Sequence, residues 1–163
     1  MSHLNKLNNK IYSLEELENK VNAWKQVGEE VVFTNGCFDI IHQGHIEVLA
    51  RTADLGTKLI IGLNSDSSIQ KLKGENRPII QQQSRAILLA SFSFVDAVVL
   101  FSEDTPINLI STLLPDILAK GGDYKIETIV GHKVVQKNGG KVILVPFVDG
   151  FSSTTIIEKI RKP

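Results

Sequence analysis

At 163 residues and 42% hydrophobic, the chain is long enough to bury one substantial core and matches the size of one domain. Lys plus Arg and Asp plus Glu each number 18, so no global positive field marks a nucleic-acid or membrane-surface binder, and any phosphate binding has to be local. Cys37 is the only cysteine, which excludes an internal disulfide framework and leads us to expect a reducing, cytoplasmic setting.

No uninterrupted apolar stretch approaches the ~20 residues of a membrane helix, and the start leads into no signal-like segment, so a soluble, unprocessed protein is expected. Residues 1–12 are rich in Asn and Lys without a clear period and read as a loosely held arm, with structure beginning at Ser13. Ser13-Leu14-Glu15-Glu16 has the form of a capping box, and Leu14, Leu17, Val21 and Trp24 recur at helical spacing up to Gly28. Residues 1–28 are therefore taken as an arm and an amphipathic helix, and residues 29–163 as the functional domain.

Val31-Val32-Phe33 predicts a strand running into Asn35-Gly36, and Ile46 to Leu55 predicts a helix closing at Gly56. The alternation continues with a strand at Leu59–Leu63, a helix around Ser84–Phe92, a strand at Ala97–Phe101 and a helix started by Thr105-Pro106. Ile117-Leu118-Ala119 and Val142-Ile143-Leu144-Val145 add two strands. Apolar strands alternating with helices call for an α/β, Rossmann-like, doubly wound parallel sheet in a single domain. Ligands in such sheets bind beyond the strand carboxyl ends, where strand order reverses.

The segment after the first of these strands, Thr34-Asn35-Gly36-Cys37-Phe38-Asp39-Ile40-Ile41-His42-Gln43-Gly44-His45, sits at such an end. Gly36 and Gly44 permit close backbone approach, and the following helix offers free amides to an anion. It is neither a Walker loop nor a G-x-G-x-x-G fingerprint, so kinase and dehydrogenase readings lose support. His42 and His45 lie three residues apart across Gly44 and can face one phosphate. A lone histidine is more often a satisfied polar residue, but two flanking a glycine at a strand-to-helix turn favour a ligand role. With Cys37 poorly placed and no second Cys/His cluster, a structural zinc site has too few ligands, and no metal-ligand set is expected.

These residues resemble the HxGH nucleotidyltransferase superfamily. The resemblance continues through Asn64-Ser65-Asp66, Leu72-Lys73-Gly74-Glu75-Asn76-Arg77-Pro78, Val95-Asp96, Glu103-Asp104-Thr105-Pro106, Lys120-Gly121-Gly122-Asp123-Tyr124 and Gly150-Phe151-Ser152-Ser153-Thr154-Thr155. From about Val31 onward the chain looks most like the adenylyltransferase domain of ADP-heptose synthases, with the Lys-Gly-Gly-Asp-Tyr and Leu-Lys-Gly…Arg-Pro segments separating it from other branches. The resemblance implies AMP transfer from ATP to a heptose 1-phosphate, by in-line attack of the acceptor phosphate on the α-phosphorus and loss of pyrophosphate, without a covalent enzyme intermediate. It also implies Mg²⁺ held mainly by substrate phosphates. In many bacteria this domain is fused to a sugar kinase, and 163 residues leave no room for one, so a separate heptose kinase is expected.

By that resemblance His42 and His45 act on the α-phosphate, with Lys73 and Arg77 as further catalytic candidates, although a charged, Pro-bounded loop is ordinarily solvated surface. Thr34, Asn35, Gly36, Cys37, Phe38, Gly44, Lys120, Gly121 and Asp123 are expected around the nucleotide. Ser152, Ser153 and Thr154 cap a last helix and are candidates for the β- and γ-phosphates, simple capping being the alternative. Asn64 and Asp66 end a strand that borders the acceptor pocket in relatives, or simply form a turn. Asp39 and Arg85 complete the acceptor candidates; Asp39 alternatively caps the loop or orients a histidine, and Arg85, in an apolar segment, needs solvent or an anionic partner.

The rival within the enzyme class is a cytidylyltransferase for an alcohol phosphate such as glycerol phosphate. Its usual Arg-Thr-Glu-Gly is replaced here by Phe147-Val148-Asp149-Gly150, and Lys120-Gly121-Gly122-Asp123 replaces a Met-Gly-Asp-Asp type of segment, which favours adenine. A catalytically silent nucleotide-binding module is the reading of another class, opposed by the retained histidines, Lys73, Arg77 and Ser152. Acceptor choice is expected to lie in the loops Ser67–Arg77 and Thr128–Asn138. A homodimer is expected through the apolar face of the N-terminal helix and the segment Ser91–Val95.

Overall fold

Alternating burial along the chain resolves, in the computed structural model, into one parallel sheet; the structure describes residues 2–147 and 150–161. The strands are β1 Ile11–Tyr12, β2 Val31–Gly36, β3 Lys58–Asn64, β4 Ala97–Phe101, β5 Ile117–Gly121 and β6 Lys141–Val145. The helices are α1 His3–Asn8, α2 Leu14–Gln26, α3 Gln43–Ala53, α4 Asp66–Lys73, α5 Gln82–Ala90, α6 Ile107–Leu113, α7 His132–Lys137 and α8 Ser153–Arg161. Strand order is β1-β4-β3-β2-β5-β6, every described pair parallel. This is the doubly wound α/β architecture that the alternation predicts. Order reverses between β2 and β5, whose carboxyl ends therefore flank the ligand crevice of such sheets.

Successive side chains of a strand point to opposite faces, so each central strand feeds two cores. Val31, Phe33, Ile60 and Val99 join Leu17 and Val21 of α2 on one face. Val32, Leu59, Ile61 and Val98 join Leu49 of α3 and Leu89 of α5 on the other. Burial on both faces explains why these strands read as continuous apolar runs.

Three expectations need correction. Residues 1–12 are not a loose arm: Ser2 caps α1, β1 pairs with β4 through Ile11–Val98 and Tyr12–Val99, and Lys10 Nζ donates to Phe92 O at 3.1 Å. A two-residue strand has no period to read, and what orders it is the sheet edge rather than its own propensity. The segments taken as the loops Ser67–Arg77 and Thr128–Asn138 contain α4 and α7; α4 spans only 8 residues with Ile69 as its buried large apolar residue, too little for a visible helical period. Finally, the surfaces expected to pair two copies are filled internally. Leu17 and Val21 lie in one core, and Phe92 and Phe94 pack against the other. Among the described residues no helix is long and apolar enough to cross a membrane.

Candidate active site

At the β2/β5 reversal a cavity of about 550 Å³ opens, floored by the loop between β2 and α3. Thr34, Asn35, Gly36, Cys37, Phe38, Asp39, His42, Gly44 and His45 line it from that loop and its flanks. Lys73 and Arg77 reach it from the end of α4 and beyond, Lys120 and Gly121 from β5, and Ser152, Ser153 and Thr154 from the start of α8.

His42 is the N-cap of α3 and its side chain makes no capping bond, while its carbonyl accepts from the His45 amide at 2.9 Å, so the first two amides of the helix, Gln43 and Gly44, are left without a cap partner. Its ring stacks on His45, centroids 3.8 Å apart. Gly44 makes room for that stack, because a Cβ there would come within 3.2 Å of the His42 ring and 2.9 Å of Phe151 Cβ. Phe38 lies against His45 edge-on at 5.5 Å and holds a left-handed backbone, φ 46°, unusual for a bulky side chain. Strain of this kind persists where surrounding contacts impose it, commonly at binding sites.

Burial, the neighbouring His42 ring and the Lys73 ammonium together depress the His45 pKa to about 4, and burial lowers that of His42. Both rings are therefore neutral at pH 7 in the free protein. His42 Nδ1, His45 Nδ1 and a terminal nitrogen of Arg77 are buried with no protein partner. Buried polar atoms without partners are rare in folded proteins, and three around one cavity mark where an anion's oxygens fit.

Arg77 is held from behind. Its Nε donates to Asp39 Oδ2 at 2.7 Å, while Asp39 also accepts from the amides of Ile79 at 2.8 Å and Ile80 at 2.9 Å. Burial raises the Asp39 pKa, but the Ile80 and Ile79 amides and the Arg77 guanidinium outweigh it and hold the carboxyl below its ordinary value. Asp39 is the only carboxylate among the described lining residues, and its charge is consumed by Arg77. Lys73 and Lys120 thus leave the cavity locally cationic in a chain of zero formal charge. Lys120 Nζ sits 3.2 Å from Asn35 Oδ1, and burial lowers its pKa, partly opposed by Cys37.

Four predicted site residues are not brought to the cavity. Arg85 is completely buried; Nη2 binds Asp66 Oδ1 at 2.7 Å, Nη1 donates to Cys37 O at 2.6 Å and Nε to Ile80 O at 2.9 Å. It ties α4, the β2–α3 loop and the approach to α5 together beneath the cavity, and its anionic partner is Asp66 rather than a substrate. Asn64 is buried and donates to Ser68 Oγ at 2.9 Å, serving the start of α4. Asp123 is exposed and outside the lining. Of the substituted segment Phe147-Val148-Asp149-Gly150, Val148 and Asp149 lie outside the described residues.

Sequence reasoning missed Val48, Tyr124, Phe147 and Phe151, which also line the cavity. Phe151 lies nearly parallel to His42, centroids 6.0 Å apart. The available signal was position: Phe147 and Phe151 follow β6, at the strand carboxyl end where ligands gather.

Comparison with known proteins places residues 33–159 in a match to the family model described as cytidylyltransferase-like. The chain is 53% identical over 153 residues to the bifunctional protein HldE of Geobacter sulfurreducens, covering 94% of this chain and 31% of that protein. It is 55% identical over 141 residues to the bifunctional protein HldE of Mesorhizobium japonicum, covering 86% and 28%. The chain thus spans about a third of the length of the curated relatives it matches. Among solved structures, the lipopolysaccharide core biosynthesis protein of Thermoplasma volcanium superposes with a TM-score of 0.61 at 29% identity, covering 74% of this chain and 98% of that one.

Proposed function

Since the chain belongs to the cytidylyltransferase-like family, we propose that it is a nucleotidyltransferase that moves AMP from ATP to a sugar 1-phosphate, D-glycero-D-manno-heptose 1-phosphate, giving ADP-heptose and pyrophosphate. The observation that carries this reading is the stacked His42–His45 pair beside Arg77, whose three partnerless nitrogens surround one locally cationic cavity. The names of the relatives, bifunctional HldE proteins and a lipopolysaccharide core biosynthesis protein, support a heptose acceptor for a surface glycan. A kinase, fused or separate, supplies the acceptor phosphate, and the reaction runs in the cytoplasm, where ATP is available.

In this reaction an oxygen of the acceptor phosphate attacks the α-phosphorus. The new P–O bond forms as the bridge to the β-phosphorus breaks, and pyrophosphate leaves with its electron pair. The enzyme's task is to hold both reactants in line and to stabilise the charge spreading over the transferring group. His42 and His45 face the α-phosphate, Lys73 and Arg77 neutralise neighbouring oxygens, and Ser152, Ser153, Thr154 and the α8 amides receive the β- and γ-phosphates. Lys120 and Gly121 border the nucleoside, and Asp39 aims Arg77. With Asp39 consumed, the described lining offers no spare carboxylate, so Mg²⁺ would be held mainly by the phosphates of the MgATP substrate.

Pyrophosphate release decides the matter. Purified protein with ATP and heptose 1-phosphate is expected to release pyrophosphate, and with CTP or glycerol phosphate to release far less. No pyrophosphate from any pairing in a panel of nucleotides and sugar phosphates would leave the chain a binding module and overturn the proposal.

A further inference from the structure

Phe147 stands two residues after the end of β6, and the residue is 62% exposed at the cavity wall. It belongs to neither core cluster. What it covers is backbone. A Cβ on Gly122 would stand 2.5 Å from a ring carbon of Phe147, and one on Gly121 would stand 3.5 Å from it and 3.0 Å from a Val48 methyl. Gly122 has φ 118° and donates its amide to Val145 O at 3.0 Å, which fixes the two glycines as a flat shelf between the ends of β5 and β6.

Val48 places this shelf relative to the chemistry. It lies three residues after His45 on α3, about 4.5 Å along the helix axis from the histidine pair. The shelf is therefore the continuation of the phosphate end of the same cavity. Its surroundings are also of a different kind: Val48, Phe147 and Tyr124 line it, and its neighbouring cation, Lys120, bonds Asn35 and lies 5.9 Å from the Tyr124 ring centroid.

From this geometry we infer that Phe147 is the stacking face for the nucleobase and the residue that favours a purine over a pyrimidine. The inference rests on the nucleotidyl-transfer reading above and deepens it. A base has a π-face whatever its identity, so stacking on an aromatic ring supplies affinity without hydrogen-bond readout. The gain grows with overlapped area, and a bicyclic purine covers more of the Phe147 ring than a pyrimidine does. Two glycines instead of side chains beneath the ring let it lie close against the backbone, and its exposed side is left for a flat base. Phe147 touches the base and not the transferring phosphate, so its effect belongs in KM rather than in kcat.

The test is equilibrium binding of ATP, CTP and inorganic tripolyphosphate to the full chain and to its Phe147→Ala and Phe147→Tyr variants, with KM and kcat for ATP. Wild type is expected to bind ATP more tightly than CTP and both more tightly than tripolyphosphate. Phe147→Ala is expected to weaken ATP roughly tenfold, in the range of base–aromatic stacking, CTP less, and tripolyphosphate not at all, with kcat nearly unchanged. Phe147→Tyr keeps wild-type binding. Because the side chain is exposed, its truncation leaves the fold intact, and a circular dichroism spectrum checks this. An ATP affinity unchanged in Phe147→Ala, or an equal loss for tripolyphosphate, overturns the inference while leaving pyrophosphate release by wild type in place. If wild type binds none of the three, the nucleotidyl-transfer reading falls together with it.

Discussion

His42 and His45 share one stack and one depressed basicity, which ties activity and stability to the same two side chains. His45→Ala removes a donor aimed at developing charge, and a loss of roughly 10²–10³ in kcat is expected, the usual scale for one such contact; a variant with wild-type turnover would strip His45 of its proposed role. Its effect on stability has the opposite sense. Above pH 6.5 both folded and unfolded chains carry a neutral His45, but as pH falls towards 4 the unfolded chain takes up a proton that the buried ring refuses. Stability present above pH 6.5 is thus lost down to about pH 4, and His45→Gln is expected to lose less than wild type over that window in urea titrations. Parallel curves for the two proteins would show that His45 is not the group responsible. The residues of this site were legible in the sequence to the extent that backbone chemistry announces itself: glycines at a strand end and paired histidines. Arg85 was not, since its charge is the same whether it meets a substrate or, as here, Asp66 and two carbonyls under the cavity. Phe147 was not, because only the fold reveals that its ring rests on Gly121 and Gly122 instead of in a core.

Elements long enough to repeat their apolar period, such as α2, β2 and β3, appear where the sequence puts them, while α1, β1, α4 and α7 escape notice. Length is the physical reason. α1 and α7 have 6 residues and β1 has 2, so packing and pairing hold them rather than any local signal. The N-terminal segment shows what that packing is worth. Leu7 and Ile11 lie against the core that also holds Leu89 and Val98, and β1 closes one edge of the sheet. Burial of two such side chains contributes about 2–4 kcal/mol after allowance for their partial exposure. For a domain of this size, that is a Tm lower by roughly 5–15 °C when residues 1–12 are deleted. Catalysis at 25 °C is expected to survive, because β1 pairs with β4 while the cavity opens between β2 and β5, on the other side of β3. A thermal melt of the deletion variant unchanged within the error of the scan would show that the segment contributes nothing to the fold.

Taken whole, the molecule carries no net formal charge, yet Lys73, Arg77 and Lys120 converge on one cavity whose described lining has a single carboxylate, already paired. Electrostatic attraction for a polyanion is accordingly short-ranged and confined to the β2/β5 crevice. Two consequences separate experimentally. A ligand that binds only the folded chain stabilises it by about 2.7 kcal/mol at one hundred times its Kd, which for this length raises Tm by roughly 5–10 °C. MgATP is expected to do this. Raising salt from ~0.1 M to ~1 M shortens the screening length from about 10 Å to about 3 Å, and is expected to cut the MgATP-induced shift while moving the ligand-free Tm little, since the exposed pairs Arg51–Glu47 and Lys71–Asp104 are weak and the buried Arg85–Asp66 pair is shielded from bulk ions. The fluorescence melt that tracks both numbers also weighs the two halves of the nucleotide site. Charge contacts at the histidine end are screened by salt, whereas stacking on Phe147 is not. The shift that persists at high salt is therefore expected to shrink in Phe147→Ala by the amount a roughly tenfold loss of affinity implies, and an unchanged shift there would assign the salt-resistant part of nucleotide binding to some other surface.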